Sequence, residues 1–289
     1  MEDDLMKKAC ITFLLASLCL CLCVAAGCTG AVDEGTPPAV PEATPATVSI
    51  EDTPVQYAEV NGVNLAYREF GEGDPLLLID GFTGVMDGWN ETFISLLAGH
   101  YHVYTYDHRA MGYSGDNDDP YTIPQLADDA AGLMGALGYE SMHVYGVSMG
   151  SMISQQLVVD HPDKVRKLIL SSPDCFNIRL IQTTEDYDQF VSSYVEDPST
   201  STGIRKEAEA ILTWNGTYDD LSGITKDVML VVGTDDDLTP DAIAVQMAEQ
   251  IDGSWLVRFK GVPHAGSYDA PVQYGEVVLT FLETDVSPL

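Results

Sequence analysis

Basic side chains are scarce in this sequence: Lys and Arg number 13 against 45 Asp and Glu, for a formal net charge of −32 at pH 7. A surface of that sign repels phosphate backbones, which excludes nucleic acid as a partner. The acidity reads as solvation of a folded surface and not as disorder, because 45% of the residues are apolar, the ordinary share for a globular chain. Cysteine is short as well. Of the six, Cys10, Cys19, Cys21 and Cys23 fall inside one N-terminal apolar run, which leaves Cys28 and Cys175 for the rest of the chain. That excludes a cysteine-built metal site and leaves the fold to rest on its hydrophobic core. There is no internal repeat.

The long apolar run from Ala9 to Ala26 follows Lys7 and Lys8 and ends in Ala25-Ala26-Gly27-Cys28, so residues 1–27 read as an export segment. Small residues directly before a cysteine resemble the lipobox of prokaryotic lipoproteins, with Ala25 where a leucine is usual. That resemblance implies cleavage before Cys28 and lipidation of its thiol. An uncleaved apolar helix is the alternative anchor. Both place the protein at the cell membrane, on its extracytoplasmic face. Residues 28–54 are rich in Pro and Thr and read as an extended tether.

The domain expected over 55–289 begins with two β-type runs, Val55 to Val60 and Val63 to Phe70, joined by the hairpin signal Asn61-Gly62. Solid apolar runs then recur: Leu76 to Ile79, Val103 to Tyr106, Met142 to Tyr145, Val165 to Leu170 and Val228 to Val232. Each is bounded as a strand buried on both faces should be. Helical spacing marks Ile123 to Leu137, Ile153 to Val159, Ile243 to Ile251 and Val272 to Leu282, with Trp255 to Phe259 a further strand. This alternation predicts an α/β fold: a mostly parallel sheet with helices on both faces, opened by an antiparallel hairpin. The stretch of about 174–225 has no such strand and reads as a short helical cap inserted over the sheet edge.

The chemistry centres on Gly146-Val147-Ser148-Met149-Gly150, lying between a strand and a helical run. A serine there sits on a sharp turn that lifts its hydroxyl above the sheet, beside the amides of a helix N-terminus. It needs a base, and a histidine base needs an orienting carboxylate. His264 lies in a loop beyond the last strand, free to reach the top of the sheet. His100, His102, His108, His143 and His161 read as structural or surface residues. The acid lies within Asp235-Asp236-Asp237, between a strand and a helix, where the chemistry alone does not choose among the three.

Taken together, these motifs resemble the α/β-hydrolase fold superfamily, in its serine esterase and lipase-like branch, over Val55 to Glu283. Asp80-Gly81-Phe82-Thr83-Gly84 is similar to its His-Gly-Phe oxyanion loop. Asp107-His108-Arg109-Ala110-Met111-Gly112-Tyr113-Ser114 is similar to its Asp-x-Arg-Gly-x-Gly-x-Ser signature. The resemblance implies Ser148, Asp236 and His264 as the catalytic set. It implies the backbone amides of Phe82 and Met149 as oxyanion donors, with Asp174 as an alternative acid. Two positions depart: Asp80 stands for the usual histidine and Ala110 for the usual glycine. An ionised Asp80 would oppose negative charge developing nearby.

The expected activity is hydrolysis of a small or medium carboxylic ester through an acyl-enzyme, needing no metal or organic cofactor. The partner is then a small-molecule acyl substrate. Amide hydrolysis of the prolyl-aminopeptidase type is one alternative, and a non-catalytic ligand-binding protein on the same fold is the other.

Overall fold

The structure, a computed structural model, describes residues 48–117, 121–175 and 183–284, with the side chains of 183–186 left aside. The export segment and Cys28 lie outside the described residues. Eight strands form one sheet in the order β1-β2-β4-β3-β5-β6-β7-β8. The strands are β1 Gln56–Val60, β2 Val63–Phe70, β3 Asp74–Ile79, β4 Tyr101–Tyr106, β5 Met142–Val147, β6 Val165–Ser171, β7 Asp227–Gly233 and β8 Trp255–Phe259. The β1–β2 hairpin closes on the pair Val60 and Val63, and β2 then runs antiparallel to β4. All later pairings are parallel.

Two apolar layers sandwich this sheet because strand side chains alternate between faces. Along β3, Leu77 and Ile79 join one layer while Leu76 and Leu78 join the other. The first layer takes in helices α2 (Ile123–Ala136), α3 (Met149–Asp160) and α6 (Asp241–Gln250). The second takes in α1 (Glu91–Ala98) and α8 (Pro271–Glu283). Each fully buried leucine contributes about 1.5–3 kcal/mol, and all four β3 side chains named here are fully buried.

Several elements differ in extent from the sequence reading. Helix α1 carries too short an apolar pattern to register, and its start is fixed by Asn90, whose Oδ1 accepts from the amides of Thr92 and Phe93 at 2.9 and 3.3 Å. Helix α3 begins at Met149, ahead of Ile153, because Gly150 and Ser151 in its first turn interrupt the apolar spacing, although Met149 and Met152 there are buried. Residues assigned by composition to the tether also pack onto the domain. Ile50 is buried, its amide donates to Glu91 Oε1 at 2.9 Å, and the Val48 amide donates to Ser95 Oγ at 2.9 Å.

The signature after β4 is a buried anchor. Arg109 and Asp129 of α2 are each 1% exposed and joined by two bonds of 2.6 and 2.7 Å. Removing one partner of such a pair costs about 3–5 kcal/mol, since the other charge is left buried and alone. Asp107 holds the same loop from inside, accepting from the amides of Met86 at 2.8 Å and Tyr113 at 2.7 Å. Ala110 occupies its glycine-type position at a φ of 63°, which an L residue adopts at a cost of about 1–2 kcal/mol.

Between β6 and β7 the chain forms the cap, with α4 Thr183–Glu196 and α5 Thr202–Thr213 followed by a 3-10 turn over Tyr218–Gly223. Trp214 Nε1 donates to Gln156 Oε1 at 2.9 Å and Thr217 Oγ1 to Gln155 Oε1 at 2.8 Å, tying the cap to α3.

Candidate active site

Strand β3 lies between β4 and β5, so the connections leave its carboxyl end in opposite directions and open a crevice there. Ser148 stands at the top of β5, directly before α3, with φ 54° and ψ −119°. That conformation is strained for an L residue, and the surroundings enforce it. Its amide donates to Ser171 O of β6 at 2.9 Å. A Cβ on Gly146 would sit 2.2 Å from Gly150 O, and one on Gly150 would sit 2.1 Å from Ile79 O. Only glycine lets strand, turn and helix approach so closely, which is why both flank the serine.

His264 Nε2 lies 2.9 Å from Ser148 Oγ, and His264 Nδ1 lies 2.9 Å from both carboxylate oxygens of Asp236. Three side chains far apart in sequence therefore form one hydrogen-bonded chain. The Asp236 carboxylate is fully buried, whereas Asp235 and Asp237 on either side are exposed. Burial pushes its pKa up, but the bond and charge of His264, the Thr239 amide and the Ser172 hydroxyl outweigh that and hold it below the usual carboxylate range. Thr239 Oγ1 is placed 3.0 Å from Asp236 Oδ2 and 3.1 Å from Ser172 O.

The alternative acid, Asp174, follows β6, and its backbone carbonyl accepts from Gln155 Nε2 at 2.8 Å. The carboxylate at His264 is that of Asp236. The histidine loop is set by the end of β7, where Asp235 N donates to Val262 O at 3.1 Å and Thr234 N to Phe259 O at 2.9 Å. Ala265, at φ 55°, then turns the chain into the short helix α7 (Gly266–Asp269).

The other wall is the turn Gly81 to Gly84, closed by Gly84 N donating to Gly81 O at 3.0 Å. Its third residue, Thr83, has a φ of 67°, a region that costs a β-branched residue about 1–3 kcal/mol. The amides of Phe82 and Met149 meet no acceptor among the described residues. Met149 is the first residue of α3, so its N–H is one that a helix leaves unsatisfied. Residues of this turn, with Asp80, Val147, Ser148, His264, Ala265 and Tyr268, line a cavity of about 240 Å³. A larger cleft of about 630 Å³ lies on the cap and holds none of the reactive side chains. The Phe82 ring reaches toward it, edge-on to Tyr194 at 5.0 Å and to Phe190 at 6.4 Å.

Asp80 is buried beneath the turn. Its Oδ1 accepts from Gly81 N at 2.7 Å and from Tyr268 Oη at 2.9 Å, and a Cβ on Gly84 would collide with its carboxyl group at 2.4 Å. Burial pushes its pKa up to about 6 against the pull of the Gly81 and Tyr268 hydrogen bonds. Tyr268 is clamped in turn by a stacked Trp89 ring at 5.8 Å. Asp80 thus joins the Gly81–Gly84 turn to the histidine loop, a role its sequence context does not announce.

Four participants escape the sequence reading: Ser172, Tyr268, Glu207 and Thr239. Thr239 had a signal, since an acid followed three residues later by Thr is a local side-chain-to-backbone motif. His108, read as structural or surface, is fully buried and pairs with the cap carboxylate of Glu207 at 2.9 Å.

Known proteins share this fold. The alpha/beta hydrolase fold family matches residues 74–200. A protein of Azorhizobium caulinodans, named provisionally as the carbamate hydrolase RutD, is 26% identical over 265 residues, covering 78% of this chain and 97% of its own. Among solved structures, an esterase from Exiguobacterium antarcticum superposes with a TM-score of 0.71 at 20% identity, over 79% of this chain and 99% of that one. An enol-lactonase from Burkholderia xenovorans gives 0.67 at 23% identity, over 79% and 100%. The chain has the α/β-hydrolase fold. The protein is a hydrolase.

Proposed function

We propose that the protein cleaves small or medium carboxylic esters through an acyl-enzyme on Ser148. The observation that carries this reading is the chain from Ser148 Oγ through the His264 ring to Asp236, each link at 2.9 Å. His264 Nε2 takes the Ser148 proton as Oγ attacks the carbonyl carbon, and the amides of Phe82 and Met149 receive the oxyanion. The imidazolium then gives that proton to the departing alcohol. Water, activated by the same imidazole, releases the acid and restores the serine. Asp236 fixes the tautomer with the proton on Nδ1 and stabilises the imidazolium.

Amide or carbamate cleavage is the second reading, supported by the relative named provisionally for carbamate hydrolysis.

Labelling with a fluorophosphonate, followed by p-nitrophenyl esters of rising chain length and aminoacyl anilides, tests the proposal. The wild type is expected to label and Ser148→Ala not to; equal labelling of both, or of neither, refutes the serine hydrolase. Faster turnover of anilides than of esters would favour the second reading.

The sequence further motivates an extracytoplasmic, membrane-anchored location, with Cys28 as the lipid-bearing residue. Cys28→Ser is then expected to abolish incorporation of a radiolabelled fatty acid, whereas unchanged incorporation refutes lipidation at this position.

A further inference from the structure

Glu207 sits on α5 of the cap, 124 residues from Thr83 in sequence, and its side chain is completely buried. A carboxylate taken out of water persists only where its oxygens are answered by donors. Here both are, and neither partner belongs to the cap. Oε2 accepts from the Thr83 amide at 2.8 Å, and Oε1 pairs with His108 Nδ1 at 2.9 Å. The cap therefore inserts a charged group into the catalytic domain, one end on the oxyanion turn and the other on the loop after β4.

The turn it reaches is unusual. Positive φ at the third residue is the mark of a type II turn, where glycine or asparagine is at ease. The sequence places threonine there, at φ 67°. Left to itself, that residue would relax by rotating the peptide between Phe82 and Thr83, and Thr83 N–H is part of that peptide. Its hydrogen bond to Glu207 opposes the rotation. Phe82, whose amide the mechanism uses, is the second residue of the same turn. The Phe82 ring is gripped by cap aromatics Tyr194 and Phe190 as well, so two independent contacts run from the cap to this one residue and its neighbour. His108 Nε2 is buried with no partner among the described residues. The pairing at its Nδ1 therefore holds the ring against Glu207.

We propose that Glu207 is a positioning residue that holds the oxyanion turn in its strained form, so that the site is complete only while the cap is seated. This rests on the hydrolase reading above. A substrate that drives the cap onto the domain would thereby assemble the charge-stabilising half of the site. Loosening of the cap would disable chemistry without touching Ser148 or His264.

The test uses the full-length protein with a p-nitrophenyl ester, comparing Glu207→Gln with Glu207→Met. Gln keeps an acceptor for the Thr83 amide. Met fills similar volume with neither acceptor nor buried charge, which favours a folded product. Glu207→Met is expected to lower kcat about a hundredfold with KM changed less than about threefold, because a misplaced donor is felt in the transition state and not in substrate binding. Its fluorophosphonate labelling rate should fall in parallel. Glu207→Gln should stay within about fivefold of wild type. In a Thr83→Gly background, where the turn carries no strain, the penalty of Glu207→Met should shrink to less than tenfold. An undiminished kcat in a folded Glu207→Met protein overturns the proposal, as does a penalty unchanged by Thr83→Gly. A wild type that neither labels nor turns over esters sinks the hydrolase reading instead, so the two failures are distinct.

Discussion

Asp236→Asn is expected to lower kcat on the order of ten-thousandfold while leaving KM within a few-fold. The amide fits the same buried turn. Its Oδ1 can keep the bonds now made by the amides of Leu238 and Thr239, at 3.1 and 2.8 Å. Its NH2, however, then faces His264 Nδ1 as a donor, which forces the imidazole proton onto Nε2. In that tautomer the ring cannot accept a proton from Ser148, and penalties of about 10⁴ follow in enzymes of this logic. Asp174→Asn, by contrast, should stay within about threefold of wild type. Steady-state kinetics on one ester, with thermal unfolding to confirm folding, separates the two acids. A larger loss at Asp174 than at Asp236 would reverse the assignment.

Asp80→Asn is expected to act in the opposite direction, and only above a certain pH. With its pKa pushed up to about 6, Asp80 is neutral at pH 5 and ionised at pH 8. Ionised, it places a negative charge directly behind the turn whose amide receives the oxyanion, and Gly81, which Asp80 holds, packs against Ser148. Two like charges at this range oppose each other by about 1.4 kcal/mol, a factor of ten. The ratio of kcat/KM between variant and wild type should then be near one at pH 5 and rise through pH 6 to about ten at pH 8. The neutral amide still accepts from Gly81 and Tyr268, so the turn is retained. A flat ratio across the pH range would mean that the charge is not felt at the reacting carbonyl. The protonation has a matching effect on folding. The folded-state pKa lies above the ordinary carboxylate value of 3.8, so the stability it contributes is full below about pH 4 and is lost as pH rises through about 6.

How much of this was legible in the sequence depended on whether a residue's role is local. Gly146 and Gly150 could be read because the clash they avoid lies within one strand-turn-helix unit. Asp236 could be narrowed only to a run of three acids without the resemblance, since what selects it is which side chain the turn directs inward. Helix α1 was missed because eight residues with Phe93, Ile94 and Leu97 buried give too short a period. Asp80 was visible as a departure, but its partner Tyr268 lies 188 residues away, so its mooring was not. Glu207 was hidden among the many cap acids, yet a trace existed. Gly203, Glu207 and Ile211 fall four residues apart on the buried stripe of α5, and an acid at the centre of such a stripe has to be paired with something.

The pairing of Ile79 with Gly146, the last rung between β3 and β5, has an evolutionary consequence. Attack and anion capture leave the sheet from one rung of this ladder, with Phe82 three residues past Ile79 and Ser148 two past Gly146. The points from which both depart are thus inherited with the backbone. Proton handling arrives from the far side, on excursions after β7 and β8. Descendants can therefore lengthen the outer loops to try new substrates while the attacking half of the machine stays in register, so long as the cap keeps a carboxylate where Glu207 stands.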